Sequence, residues 1–207
     1  MMQLYLIRHG KTFGNTLGRY IGTTDESLCE AGVEELKAAS YPGVDLVFAS
    51  PMKRCVETAQ ILWPGMEIHP CEDLRECDFG EFESHNYQEL NGNPAYQAWV
   101  DSGGRLPFPG GESHEDFKKR CAEGFVRVLQ AIRTSGCRRV GFSVHGGTIM
   151  SILEAYEKSR ETFYHWQVKN GCGFRTCWDE TDEGGIRLYE TVYIGPDTGL
   201  CAGSDFR

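Results

Sequence analysis

The stretch Gln3-Leu4-Tyr5-Leu6-Ile7-Arg8-His9-Gly10 decides how this chain is read. A short apolar, β-prone run that stops abruptly at polar residues is the pattern of a buried strand opening into a loop. Gln3 to Ile7 is therefore expected as a first strand, and the loop after it runs through Gly14, Gly18 and Gly22. Two later stretches repeat the pattern. Val44 to Ala49 ends at Ser50-Pro51, and Arg138 to Val144 ends at His145-Gly146-Gly147.

Helical patterns fall between these strands. One is expected from Cys29 to Ala39, so that strand, helix and strand form a parallel pair. A second starts at Ser50-Pro51, with Ser50 as the N-cap and Pro51 at the first helical position, and runs to Trp63 before Pro64-Gly65 stops it. Ser113 to Thr134 is amphipathic, with Phe117, Cys121, Phe125, Val128 and Ile132 on one face, and Thr148 to Tyr156 is a further helix. Weaker strands are expected at Met66 to His69, Phe174 to Trp178 and Ile186 to Tyr193. Residues 70–109 read as an irregular lid over the site, with a helix at Tyr87 to Trp99. The alternation implies an α/β three-layer sandwich: a mostly parallel central sheet with helices on both faces. A single domain is expected over residues 1–207, because no linker divides the chain.

Composition narrows the function classes. Of the 207 residues, 40% are apolar and 25% charged, which is ordinary for a globular domain. A net charge of −9 argues against a nucleic-acid partner, which demands a basic face. Nine cysteines at irregular spacing, with no C-x-x-C pair, give neither a disulfide framework nor a zinc site. No run is long enough to span a bilayer, and Leu4 to Ile7 lacks the flanks of a signal peptide, so a cytoplasmic protein with no membrane partner is expected.

Arg8-His9-Gly10, Arg54 and His145-Gly146-Gly147 each follow a strand. In a parallel sheet those are carboxyl ends, where ligands bind and helix N-termini point. Two arginines offer forked donors matched to phosphate oxygens against an acidic background. A neutral histidine beside that phosphate can act as a nucleophile, and a second imidazole can stabilise the oxygens as the bond breaks. A carboxyl group must then protonate the leaving alkoxide and later activate water. Gly146 and Gly147 allow a backbone to approach a ligand closely.

Leu6-Ile7-Arg8-His9-Gly10-Lys11-Thr12 with Asn15 resembles the R-H-G signature of the histidine phosphatase superfamily, which includes phosphoglycerate mutase. Ala49 to Arg54 with Thr58-Ala59 resembles its second arginine motif. Val144 to Gly147 resembles its C-terminal histidine motif, and Leu74-Arg75-Glu76 with Phe79-Gly80 and Glu83 resembles the segment carrying its acid. The resemblance implies a phosphoglycerate mutase-like fold and a phosphohistidine on His9. It implies a phosphate pocket of Arg8, Arg54 and His145, Glu76 as proton donor and acceptor, and Asn15 and the backbone around Gly22 and Gly146 as substrate contacts. No metal and no other cofactor is implied. Gly18 to Gly22 with Thr24-Asp25, Leu28 and Glu30-Ala31-Gly32 is most similar to the α-ribazole phosphatase and broad-specificity branch.

Three positions depart from that pattern. Lys11 adds a positive charge where an acidic or amide residue is common, Ser27 replaces a proline, and Ser84 replaces a glycine, which leaves the lid geometry and the substrate open. Plainer readings stand beside the sharp ones. His9 and His145 read alone are strand-end histidines, and Arg54 is a helix charge beside Lys53 and Glu57. Glu76 stands among Glu72, Asp73, Asp78, Glu81 and Glu83. Cys55, next to Arg54, is either a redox-sensitive thiol or a buried filler. The expected function is hydrolysis of a small phosphorylated metabolite by a monomer or homodimer. A mutase and an inactive phospho-ligand-binding module are the alternatives.

Overall fold

The computed structural model describes residues 2–181 and 184–195. The expected domain span of 1–207 also takes in Met1, 182–183 and 196–207, which lie outside the described residues. Six strands form one sheet in the order β3-β2-β4-β1-β5-β6. They are β1 (Met2–Arg8), β2 (Leu46–Ala49), β3 (Ile68–Pro70), β4 (Arg139–Val144), β5 (Gly173–Glu180) and β6 (Ile186–Ile194). The first four are mutually parallel, β5 runs antiparallel to β1, and β6 runs antiparallel to β5. The α/β, mostly parallel sheet expected from the sequence is therefore present. The supposed parallel pair of β1 and β2 is not one of neighbours, because β4 returns between them and bonds to both.

Side chains alternate across the sheet, so β1 contributes to two cores. Leu4 and Leu6 pack with Phe125, Val128 and Leu129 of α5 (His114–Ile132) and with Ile149, Ile152 and Leu153 of α6 (Gly146–Tyr156). Tyr5 and Ile7 face the other way, toward Ala59 and Trp63 beside α3 (Lys53–Leu62). The helix α2 (Glu30–Ala38) lies against α3. Each methylene taken out of water here contributes about 0.8 kcal/mol, and this two-sided burial holds the strand ends rigid under the site.

A third apolar cluster lies away from the sheet. Cys77, Phe82, Leu90 and Phe108 of the expected lid pack on Phe117 and Cys121 of α5, with Tyr20, Tyr96 and Trp99 around them. The helix in this region is α4 (Pro94–Asp101), not Tyr87 to Trp99. Gly92 takes a positive φ of 83° and Pro94 holds Asn93 extended, so the helix can begin only there. The Asn93 side chain accepts from the N–H groups of Ala95 and Tyr96.

Two other boundaries move for physical reasons. Ser50 does not cap the following helix: α3 starts at Lys53 with Met52 at its N-cap, and the Ser50 hydroxyl serves His145 instead. A short helix α1 (Phe13–Thr16) interrupts the glycine-bearing loop, closed by a reciprocal cap between Thr12 and Asn15. No helix among the described residues is long and apolar enough to cross a membrane.

Candidate active site

The register of the sheet assembles the site. Arg8 pairs with Val144 and Ala49 with Ser143, so the next residue of each strand, His9, His145 and Ser50, falls at one carboxyl-end ridge. The rings of His9 and His145 meet edge to face with centroids 5.2 Å apart. Ser50 Oγ lies 2.8 Å from His145 Nε2, and Cys55 Sγ lies 3.5 Å from the same nitrogen.

His9 is 3% exposed. Its Nδ1 donates to the Gly10 carbonyl at 2.7 Å, a bond only an N–H can make to a carbonyl, which leaves the lone pair on Nε2. Burial, then the charges of Arg54 and Arg8, hold its pKa well below the ordinary imidazole range. His145 is driven down in the same way, by burial first and then by Arg54. Both shifts favour the neutral ring, the state that a nucleophile requires.

Arg54 is fully buried, yet its terminal nitrogens donate to Thr24 O at 2.8 Å, to Gly22 O at 2.8 Å and to Ile21 O at 3.4 Å. Arg8 donates to Val168 O at 2.8 Å. The Nε–H of each guanidinium is buried with no partner in the protein. Two unsatisfied charged donors beside two neutral histidines form a site for an oxyanion.

Glu76 reaches the ridge from the segment between the turns Glu72–Leu74 and Gly80–Phe82. Its Oε1 accepts from Cys77 N at 3.0 Å and its Oε2 from Gly147 N at 3.2 Å, in the first turn of α6. Burial raises its pKa above the ordinary carboxyl range, and these two N–H bonds with Arg8 and Arg54 oppose the rise without cancelling it. The carboxyl group thereby holds its proton to higher pH than a surface glutamate, as an acid catalyst must.

The remaining expected contacts divide. Asn15 Oδ1 accepts from Thr12 N at 3.2 Å and from Asn170 Nδ2 at 3.1 Å. Gly22 has both backbone polar groups engaged, its N–H on Glu83 and its carbonyl on Arg54, so it orients the arginine instead of offering a donor. A Cβ on Gly146 would meet Arg8 at an ordinary 3.5 Å, whereas one on Gly147 would lie 2.4 Å from Glu76 Oε1. The close approach needs glycine at 147, not at 146. Lys11 adds no charge to the pocket, because its ammonium pairs with Glu35 on α2. Cys55 is fully buried and burial pushes its thiol pKa up, so of its two readings the filler holds.

Sequence reasoning missed three residues. Asn170 donates to His9 O at 3.1 Å and to Asn15. Thr58 Oγ1 accepts from Gly10 N at 2.9 Å and donates to Arg54 O at 2.6 Å. Glu83 binds the backbone of the 22–24 loop. Only Glu83 and Thr58 carried any signal, as members of quoted motifs.

Beside Glu76 opens a cavity of about 480 Å³ lined by Gly22, Thr23, Met52, Arg75, Asp78 and Arg120, among others. Its size suits the organic part of a metabolite. Among the described residues no group of three or more His, Cys, Asp or Glu side chains is placed to hold a metal ion.

Known proteins resemble this chain in sequence and in fold. The adenosylcobalamin/alpha-ribazole phosphatase of Salmonella typhimurium is 28% identical over 180 residues, covering 83% of this chain and 88% of the relative. The alpha-ribazole phosphatase of Shigella flexneri superposes with a TM-score of 0.77 at 23% identity, covering 91% of this chain and 95% of that one, which speaks for the fold. The phosphoserine phosphatase of Entamoeba histolytica, solved with 3-phosphoglyceric acid, gives a TM-score of 0.72 at 27% identity, covering 92% and 96%. The sequence model of the histidine phosphatase superfamily (branch 1) matches residues 4–189, and with the site at the ends of β1, β2 and β4 this chain belongs to that superfamily.

Proposed function

We propose that this phosphatase hydrolyses a phosphomonoester by passing the phosphoryl group through Nε2 of His9. The observation that supports it is the pairing of a neutral His9, its Nε2 lone pair unengaged, with buried, unpartnered Nε–H donors on Arg8 and Arg54. Nε2 attacks phosphorus as the ester P–O bond breaks, and the Glu76 carboxyl gives its proton to the departing alkoxide. Arg8, Arg54 and His145 balance the charge on the equatorial oxygens. Water then gives a proton back to the Glu76 carboxylate and attacks phosphorus, the N–P bond breaks, and inorganic phosphate leaves. Asn15 and the N–H of Gly146 extend the phosphate contacts, and Gly22 acts through Arg54.

The substrate is a small phosphorylated metabolite in the cytoplasm, and α-ribazole phosphate heads the candidates because a relative is named for it. The acidic surface fits no nucleic-acid partner, and the enzyme works as a monomer or homodimer without metal. The mutase reading is not favoured. A bisphosphorylated intermediate needs a second cluster of available cations, yet of the arginines lining the cavity Arg120 has its donors engaged within the protein.

The test is hydrolysis of p-nitrophenyl phosphate with EDTA present, comparing wild type with His9→Ala. Metal-free turnover that disappears in H9A, with phosphate trapped on histidine in wild type quenched in alkaline denaturant, is expected. Absence of wild-type turnover from acidic to neutral pH would sink the reading.

A further inference from the structure

Glu76 lies in a stretch with no regular secondary structure, between the short 3-10 turn Glu72–Leu74 and a second turn at Gly80–Phe82. Its backbone carbonyls cannot be satisfied by a ladder, so something else must hold them. Arg120, in the second turn of α5, does most of this. One guanidinium nitrogen donates to Asp73 O at 2.9 Å and Arg75 O at 3.1 Å. The other donates to Glu76 O at 3.3 Å and Glu112 Oε2 at 2.7 Å, while Nε donates to Glu112 Oε1 at 2.9 Å. All five N–H groups of the fork are used. The carbonyl left out of the series, Leu74 O, accepts from Thr148 Oγ1 of α6 at 3.2 Å.

Glu112 is anchored in its turn. Its N–H donates to Asp78 O at 2.9 Å, and Glu81 N donates to Pro109 O at 2.8 Å, so the 108–112 loop is tied to the segment just past Glu76. The Arg120–Glu112 pair is mostly buried, with side chains 23% and 18% exposed. It thus joins α5, the 108–112 loop and the 73–76 segment at one point, next to the carboxyl group that Gly147 receives.

We propose that Arg120, braced by Glu112, is the positioning residue for the Glu76 acid, a proposal that rests on the reading of Glu76 given above. Arg120 lines the cavity but has no N–H left to offer a substrate, so its effect runs through the placement of Glu76. A planar fork serves five acceptors at fixed angles, whereas an ammonium offers three donors, so lysine replaces it only in part. A misplaced acid hurts only where a proton must be delivered. Esters with poor alkoxide leaving groups depend on it, and activated aryl esters, whose phenolate leaves unaided, do not.

The experiment compares kcat/KM, which reports the first irreversible step, for an alkyl phosphate and for p-nitrophenyl phosphate in wild type, Glu76→Gln, Arg120→Met, Arg120→Lys and Glu112→Gln. In R120M the alkyl ester is expected to lose on the order of 100-fold and the aryl ester no more than about tenfold, the span a general acid supplies. R120K recovers part of the alkyl activity, and E112Q shows the same selectivity at smaller size. The aryl activity doubles as the check that each variant is folded, and where R120M fails it, R120K and E112Q carry the comparison. If E76Q is selective but the Arg120 and Glu112 variants lose both substrates equally, the positioning role is overturned and the acid stands. If E76Q loses both equally, it is the reading of Glu76 that fails.

Discussion

Glu83 accepts the backbone N–H of Gly22 at 2.9 Å, and the Gly22 carbonyl in turn holds the buried Arg54 at 2.8 Å. The same carboxylate takes Thr23 N at 2.8 Å and Thr24 Oγ1 at 2.8 Å, while the carbonyls of Gly22 and Thr24 hold Arg54. The loop is thus bonded on one edge to Glu83 and on the other to Arg54. Glu83→Ala is expected to lower stability by about 2 kcal/mol, as hydrogen bonds to a charged group do when lost. It should also raise the inhibition constant of inorganic phosphate severalfold, read from competitive inhibition curves. Glu81→Ala, at an exposed position in the same turn, serves as control, and equal behaviour of the two would remove the link.

Gly147 is where α6 meets the Glu76 carboxyl group. An alanine there would place its Cβ 2.4 Å from Glu76 Oε1 and 2.9 Å from the Phe117 ring. The flexible carboxylate must yield, so Gly147→Ala is expected to cut kcat/KM on alkyl phosphates by about 100-fold. Overpacking should cost about 1–3 kcal/mol in thermal unfolding. Gly146→Ala makes only an ordinary contact with Arg8 and should leave the fold intact. The reverse order of damage would mean that the Glu76–Gly147 contact is not what the reaction uses.

The pH profile follows from two opposite shifts. In the proposed mechanism the first half-reaction needs His9 neutral and Glu76 protonated. His9, held well below the imidazole range, stays neutral into acid, so the rising limb lies at low pH. Glu76, held above the carboxyl range, gives up its proton as pH climbs through that raised value, so the rate on an alkyl ester falls from there. An optimum between the two limbs is expected, and Glu76→Gln should abolish the falling limb while keeping the rising one. A falling limb that survives in E76Q would assign the acid to another group.

Ser84 sits at φ 61°, in the left-handed region where a side chain costs about 1–2 kcal/mol. Its hydroxyl touches Thr24 Oγ1 at 3.2 Å on the exposed side, a contact that water can replace. Ser84→Gly relieves about 1–2 kcal/mol of strain and costs about 0.4–1 kcal/mol through the freer unfolded chain, so a net rise in Tm of about 2 °C is expected in a calorimetric scan. A fall in Tm would show that the Thr24 contact outweighs the backbone strain.

Much of the site was legible because it is local. Leu4 to Ile7 followed by Arg8-His9-Gly10 puts a buried strand and its polar end in one short window, and Val140 to His145 does the same. Strand ends in a parallel sheet converge, so the company of His9, Arg54 and His145 followed from pattern alone. Glu76 was reached only through resemblance, since nothing in its own neighbourhood separates it from Glu72, Glu81 or Glu83.

What escaped the sequence depends on residues far apart. The return of β4 between β1 and β2 is a choice among topologies that hydrophobic period does not distinguish. The diversion of Ser50 from helix cap to His145 exists only because β2 and β4 lie side by side. Asn170 reaches His9 across 161 positions, and Arg120 reaches Glu76 across 44. The sequence by itself determined the elements, their polar ends and the chemistry those ends can perform, because strand and helix periods and residue type act over a few neighbours. Tertiary structure decided which carboxylate meets Gly147, which arginine binds the backbone that carries it, and which glycine lies against it. Those are contacts between segments that only packing brings together.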